Sequence, residues 1–124
     1  MLDEYDVVYD SSCMGDDRPY VEEHDGREIL ELPVHWSLDD WPSFYWGIDG
    51  GGTLARPQDV LAVWLAELDA AWAERRHITF TMHPEIIGRS YRVMLLRELP
   101  TAIRDREQLW AATSGQVADV VMAS

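Results

Sequence analysis

The sequence predicts an α/β fold of parallel strands joined by helical crossovers, and three features lead there. Strand-like and helix-like segments alternate along the second half of the chain, the pattern of a sheet with crossover helices. Ile29 to His35 is nearly all apolar at Ile29, Leu30, Leu32 and Val34, as expected of a strand covered on both faces. A chain of 124 residues with 47% hydrophobic side chains and six Trp has room and material for one core.

Taken in order, Tyr5 to Tyr9 is β-branched and aromatic and predicts a short strand. Asp10 to Gly26 is polar and acidic and reads as one long loop, a length that in compact domains is functional or disordered. The strand Ile29–His35 follows. Residues 36–46 then form an aromatic loop, with Trp36, Trp41, Phe44, Tyr45 and Trp46 around Pro42. Gly47 and the run Gly50-Gly51-Gly52 break regular structure.

A helix is expected from Pro57 to Arg76. Pro57 suits the first helical position, and Asp59 lies near the positive end of the helix dipole. Leu61, Trp64, Leu65, Leu68 and Trp72 make one apolar stripe, with both Trp expected in the core. His77–Met82 reads as a strand. A helix from Ser90 presents Tyr91, Met94, Leu95, Leu99 and Ile103 on one side, and Pro100 should kink or divide it. Leu109–Thr113 reads as a last strand, and Ser114 as the N-cap of a helix through Val120.

Charge excludes some classes of partner. The formal charge is −13, and all ten basic residues are Arg. Nucleic acid and anionic membrane both need a basic face, so neither is expected as a partner. No apolar run approaches the ~20 residues of a membrane span. The start is acidic (Leu2, Asp3, Glu4, Tyr5, Asp6), unlike a signal peptide, so a cytoplasmic protein is expected. Cys13 is the only cysteine, which excludes an internal disulfide and a cysteine-based zinc site.

Two segments are placed for chemistry, because active sites of parallel α/β folds gather where strands end. One is Leu32 to Pro42, containing His35, Trp36, Asp39, Asp40 and Trp41. The other is Phe80 to Arg89, containing His83-Pro84 and Gly88-Arg89. The first could equally be turn acids and core aromatics, and His83 could simply end a strand. Arg89 and Arg92 could pair with surface carboxylates.

These same segments resemble a family. Tyr9-Asp10-Ser11-Ser12 followed by Met14 to Tyr20 is similar to a loop of the peptidoglycan-deacetylase-like and allantoinase-like polysaccharide deacetylases, the NodB-homology class. Glu31-Leu32-Pro33 to Trp41-Pro42, His83-Pro84 to Gly88-Arg89, and the ending after Leu109-Trp110 resemble the same proteins in the same order. The resemblance implies the C-terminal half of a distorted (β/α) barrel, with residues 1–124 forming a single partial domain. It also implies hydrolysis of non-peptide C–N bonds in N-acetylated sugars or related small amides.

The resemblance assigns roles residue by residue. His83 takes the position of a late His that protonates the leaving amine. Asp40, with Asp39 beside it, takes the position that orients that His, and Trp41 walls the pocket. Trp36 and Arg89 join Trp41 as candidates for substrate binding. The family's divalent metal, usually zinc, is held by an Asp and two His of the first half, and neither that motif nor its Asp pair occurs here. His77 and His83, six apart on a strand, would stand about 20 Å from each other, too far to share a metal. No metal is therefore expected on this chain alone, zinc only with the missing half, and no independent activity. Open sheet edges would favour self-association or pairing with a chain that carries the other half. The alternative is a non-catalytic carbohydrate-binding module, or a relic of one, using the aromatic loop 36–46.

Overall fold

The computed structural model describes Tyr5, residues 7–46 and residues 54–124. The glycine break at Gly47 and Gly50–Gly52 and most of the acidic start lie outside the described residues. Among the described residues the architecture is mixed α/β: one three-stranded sheet and five α-helices.

The sheet has the order β1–β3–β2, with β1 at Tyr9–Asp10, β2 at Tyr20–His24 and β3 at Arg27–Glu31. β1 pairs parallel with β3, Tyr9 opposite Leu30, in keeping with a parallel sheet. β2 pairs antiparallel with β3, Val21 opposite Leu30, and overturns the expectation of a single loop over 10–26. The hairpin turns on Asp25 and Gly26, both at positive φ (54° and 78°). That is the two-residue geometry for which Asp-Gly is favoured, because its twist matches that of the strands.

Two expected strands are not built as such. Residues 77–82 and 109–113 are extended but join no ladder among the described residues, apart from one parallel bridge between Asp39 and Thr81. Residues 36–46 are less of a loop than expected. Trp36–Leu38 forms a 3-10 turn, and α1 follows at Asp40–Phe44.

α2 spans Pro57–Glu74 and stops at Arg75, whose left-handed conformation (φ 53°) returns its N–H to Ala71 and Trp72. Its buried face is Pro57, Val60, Trp64, Leu68 and Ala71, which shares Trp64 and Leu68 with the expected stripe but is rotated by about a sixth of a turn, away from Leu61, Leu65 and Trp72. Trp72 is 50% exposed, so the expectation that it is core fails, while Trp64 is fully buried. α3 is the four-residue helix Pro84–Ile87, closed at Gly88, where a Cβ would collide with the Pro84 carbonyl oxygen. Residues 89–94 are turns rather than helix, and α4 runs Leu95–Arg104 with Pro100 inside an undivided element. α5 is Ser114–Met122, capped one residue earlier than expected by Thr113.

Two apolar clusters hold these parts. The larger joins Leu38, Phe44, Trp64, Leu68, Ile86, Ile87, Leu95 and Leu99, which fixes α1 and α3 on the α2–α4 pair. The smaller joins Leu30 and Leu32 of the sheet segment to Ala118 of α5. Trp64 also donates from Nε1 to the Ser37 carbonyl (3.0 Å), tying the 3-10 turn to α2.

Candidate active site

Two short helices begin at one point. Asp39 is the N-cap of α1, its Oδ1 accepting from the Trp41 N–H at 2.7 Å. His83 is the N-cap residue of α3, with Pro84 at the first helical position. The bridge between Asp39 and Thr81 sets the two starts side by side: the Asp40 N–H donates to the Thr81 carbonyl (3.1 Å), and the Thr81 N–H to that of Leu38 (3.0 Å).

This register brings Asp40 and His83 together across 43 positions of sequence. His83 Nδ1 lies 2.7 Å from Asp40 Oδ1, and the His83 backbone N–H donates to both carboxylate oxygens, at 3.2 and 3.0 Å. Asp40 is fully buried, and the His83 side chain is one-third exposed. Asp39 Oδ1 stands 3.7 Å from the same ring nitrogen. The hydrogen bond that His83 donates to the Asp40 carboxylate raises the His83 pKa above its ordinary value. Burial opposes this, and the charges of Asp40, Asp39 and Glu85 add to it. An imidazole held this way favours its charged form more than a free one does, and it can still give up that proton.

Trp41 closes one side of the pair, its ring centroid 5.2 Å from that of His83 in an edge-on arrangement. Tyr45 stacks on Trp41 at 4.2 Å and 16°. Trp36 is exposed on the 3-10 turn, and Trp46 is exposed just past α1. Phe44 is sealed in the core, which removes it from any exposed aromatic face. Arg89 is exposed one residue beyond Gly88, its carbonyl accepting from Arg92 and Val93. The structure thus joins His83, Asp40, Asp39 and Trp41 directly. Trp36 and Arg89 are exposed and are not part of that contact.

The same three residues raise the question of a metal. Asp39, Asp40 and His83 are the one group among the described residues whose ligand atoms all lie within 4.8 Å of each other. The 2.7 Å contact between Nδ1 and an Asp40 oxygen engages that nitrogen and that oxygen with each other and leaves Nε2 as the open ring nitrogen. The His83 backbone N–H occupies the same carboxylate. The arrangement is that of a hydrogen-bonded acid pair. His77 stands apart from this group, with burial pushing its pKa down and its Nδ1 unpaired.

Sequence reasoning missed two buried charged residues. Arg92, expected to pair on the surface, is 6% exposed and donates to the carbonyls of Ile86 and Phe44. Its signal was a cation on the Leu95–Leu99 stripe, three residues before Leu95. Glu31, 2% exposed, accepts the N–H groups of Ser12 and Cys13, each at 2.8 Å, and pins the 11–13 loop to the sheet. A cavity of about 1090 Å³ lies elsewhere, lined by Leu68, Trp72, Phe80, Leu109, Val117 and Val121 among others.

No family model matches the sequence, and no curated protein matches it significantly. Solved structures do. A protein from Mycobacterium smegmatis assigned as a polysaccharide deacetylase superposes with a TM-score of 0.84 at 36% identity over 93% of this chain. The chain shares the fold of polysaccharide deacetylases. The crystal structure of Puue allantoinase gives a TM-score of 0.83 over 99% of the chain, at 21% identity. That of a probable polysaccharide deacetylase from Pseudomonas aeruginosa PAO1 gives 0.74 over 90%, at 19%. This polysaccharide-deacetylase-like chain spans about two-fifths of the length of these relatives, 41%, 41% and 37%. No helix among the described residues is long and apolar enough to cross a membrane.

Proposed function

We propose that the chain carries the proton-donating half of a hydrolase site acting on non-peptide C–N bonds of N-acetylated sugars or related small amides. The observation that carries this reading is the 2.7 Å contact between His83 Nδ1 and a fully buried Asp40. The carboxylate fixes the ring and favours its charged form, which leaves Nε2–H as the proton to give. As the C–N bond breaks, that proton goes to the departing nitrogen. Asp39 adds negative charge beside the ring, Trp41 and Trp36 offer faces to the substrate, and Arg89 offers a cation at the edge.

In this reading residues 1–124 form a partial domain, the C-terminal part of an incomplete (β/α) barrel. The general base and any divalent metal belong to the remainder of the fold. The chain alone is then inactive, and it works with polypeptide supplying that remainder, within one chain or from a partner. The purified chain with zinc should show no turnover of N-acetylated sugars or ureide-type amides. Co-expression with the portion of the Mycobacterium smegmatis relative that this chain does not match should restore it. His83→Ala should then reduce the rate by about 10²–10⁴, the usual contribution of a general acid. Turnover that survives this substitution overturns the assignment.

A second reading has its own support. Trp41 and Tyr45 form a stacked pair, and Trp36 and Trp46, on the same stretch of chain, are 59% and 63% exposed. Such a surface suits stacking on sugar rings in a non-catalytic binding module. Calorimetric binding of chitooligosaccharide that Trp41→Ala abolishes and His83→Ala leaves intact would favour it.

A further inference from the structure

Arg92 stands at the opposite end of the same two helices from the Asp40–His83 pair. Its Nη2 donates to the carbonyl of Phe44, the last residue of α1, at 3.2 Å. Its Nη1 donates to the carbonyl of Ile86, in α3, at 2.8 Å. Its Nε reaches the Tyr91 hydroxyl at 2.7 Å, and the guanidinium lies over the rings of Phe44 and Tyr91, 4.7 and 4.8 Å from their centroids. Burying a cation is costly unless its hydrogen bonds are met. Here they are met by carbonyls that helix ends leave without intrahelical partners. Helices of five and four residues have no stability of their own, so their relative placement depends on tertiary ties: the apolar cluster, the Asp39–Thr81 bridge at their starts and these Arg92 bonds at their ends.

We propose that Arg92 is a positioning residue for the Asp40–His83 pair. The guanidinium fixes the C-terminal ends of α1 and α3 to one another, and so fixes the separation of the carboxylate and imidazole at their N-terminal ends. A planar fork can span two carbonyls; a single ammonium cannot hold the same geometry. This inference rests on the functional reading above.

The test is the proton affinity of His83, followed by NMR titration of its imidazole in the wild-type chain, Arg92→Met and Arg92→Lys. The groups facing the ring are Asp40, Asp39 and Glu85, with Trp41 at its edge. Removing a nearby cation would by charge alone raise the His83 midpoint. Loss of positioning lowers it, because the Asp40 hydrogen bond is the main cause of the raised value. We expect a fall of about one pH unit, tenfold in proton affinity, in Arg92→Met, not restored by Arg92→Lys. An unchanged or raised midpoint in folded Arg92→Met overturns the proposal, as does full recovery in Arg92→Lys. Where Arg92→Met does not fold, Arg92→Lys alone decides by the same midpoint. Where neither folds, wild-type protein is warmed until the Arg92 Nη proton signals merge, and a His83 midpoint that does not fall with them is fatal. Because the readout is not turnover, an inactive complex with a moving midpoint sinks the hydrolase reading alone.

Discussion

A histidine in water titrates near 6.5, and His83 is held above that value chiefly by its hydrogen bond to Asp40. Asp40→Asn removes the hydrogen bond to a carboxylate and its charge while leaving the opposing effect of burial. The His83 midpoint should then fall toward its ordinary value, with the charges of Asp39 and Glu85 still acting to raise it, readable by NMR, and a midpoint unmoved by this change would separate the two residues chemically. The sign for stability follows from linkage. A raised folded-state pKa contributes stability that is fully present below about 6.5 and is lost as pH rises through the folded value. Urea midpoints of the wild type should therefore fall across that window more steeply than those of Asp40→Asn. His77 acts in the other direction. Burial lowers its pKa, so protonating it destabilises the fold as pH drops below about 6.5. His83 and Asp40 were legible in the sequence because each sits in a segment resembling a known family. Arg92 was not, since an Arg reads as surface by its charge, although it lies among Tyr91, Val93 and Met94 and on the Leu95–Leu99 stripe.

At the scale of elements, termini were easier to read than strands. Pro57 and Asp59 announced α2, and its long apolar repeat fixed it to within two residues of its end. The last helix was placed one residue late because Ser114 and Thr113 are both good caps. The reciprocal bonds between Thr113 and Gln116 make Thr113 the cap. Thr113→Ala should cost about 0.5–2 kcal/mol in chemical denaturation, the usual loss for an N-cap, with the Asp40–His83 titration unchanged. The hairpin was missed although Asp25-Gly26 between β-capable runs carried its signal. The acidic residues Glu22 and Glu23 made the segment look like solvated loop, yet in an edge strand they can face water. The extended segments 77–82 and 109–113 read as strands from their composition. Composition states only that a segment can pair, and a ladder needs a neighbour to pair with.

At the scale of the molecule, the two apolar clusters are separated by the ~1090 Å³ cavity, open to solvent and lined by Trp72, Phe80, Leu109 and Val121 with the exposed Val120 and Trp110. Leu109–Thr113 and His77–Phe80 contribute to its walls, which are the segments that read as strands and lack a ladder. Under the functional reading proposed above, this is a surface where polypeptide from the remainder of the fold packs, and apolar surface left open to water drives association. The isolated chain should then self-associate at high concentration, as sedimentation velocity would detect. Val120→Glu places a charge at the cleft mouth on a half-exposed position of α5, so the fold should persist, as judged by circular dichroism, while association weakens. The same substitution should reduce co-assembly with the complementary portion of the Mycobacterium smegmatis relative. A variant that assembles as well as the wild type would mean that the cleft is not the contact, and that the rest of the fold meets this chain along the sheet edges instead.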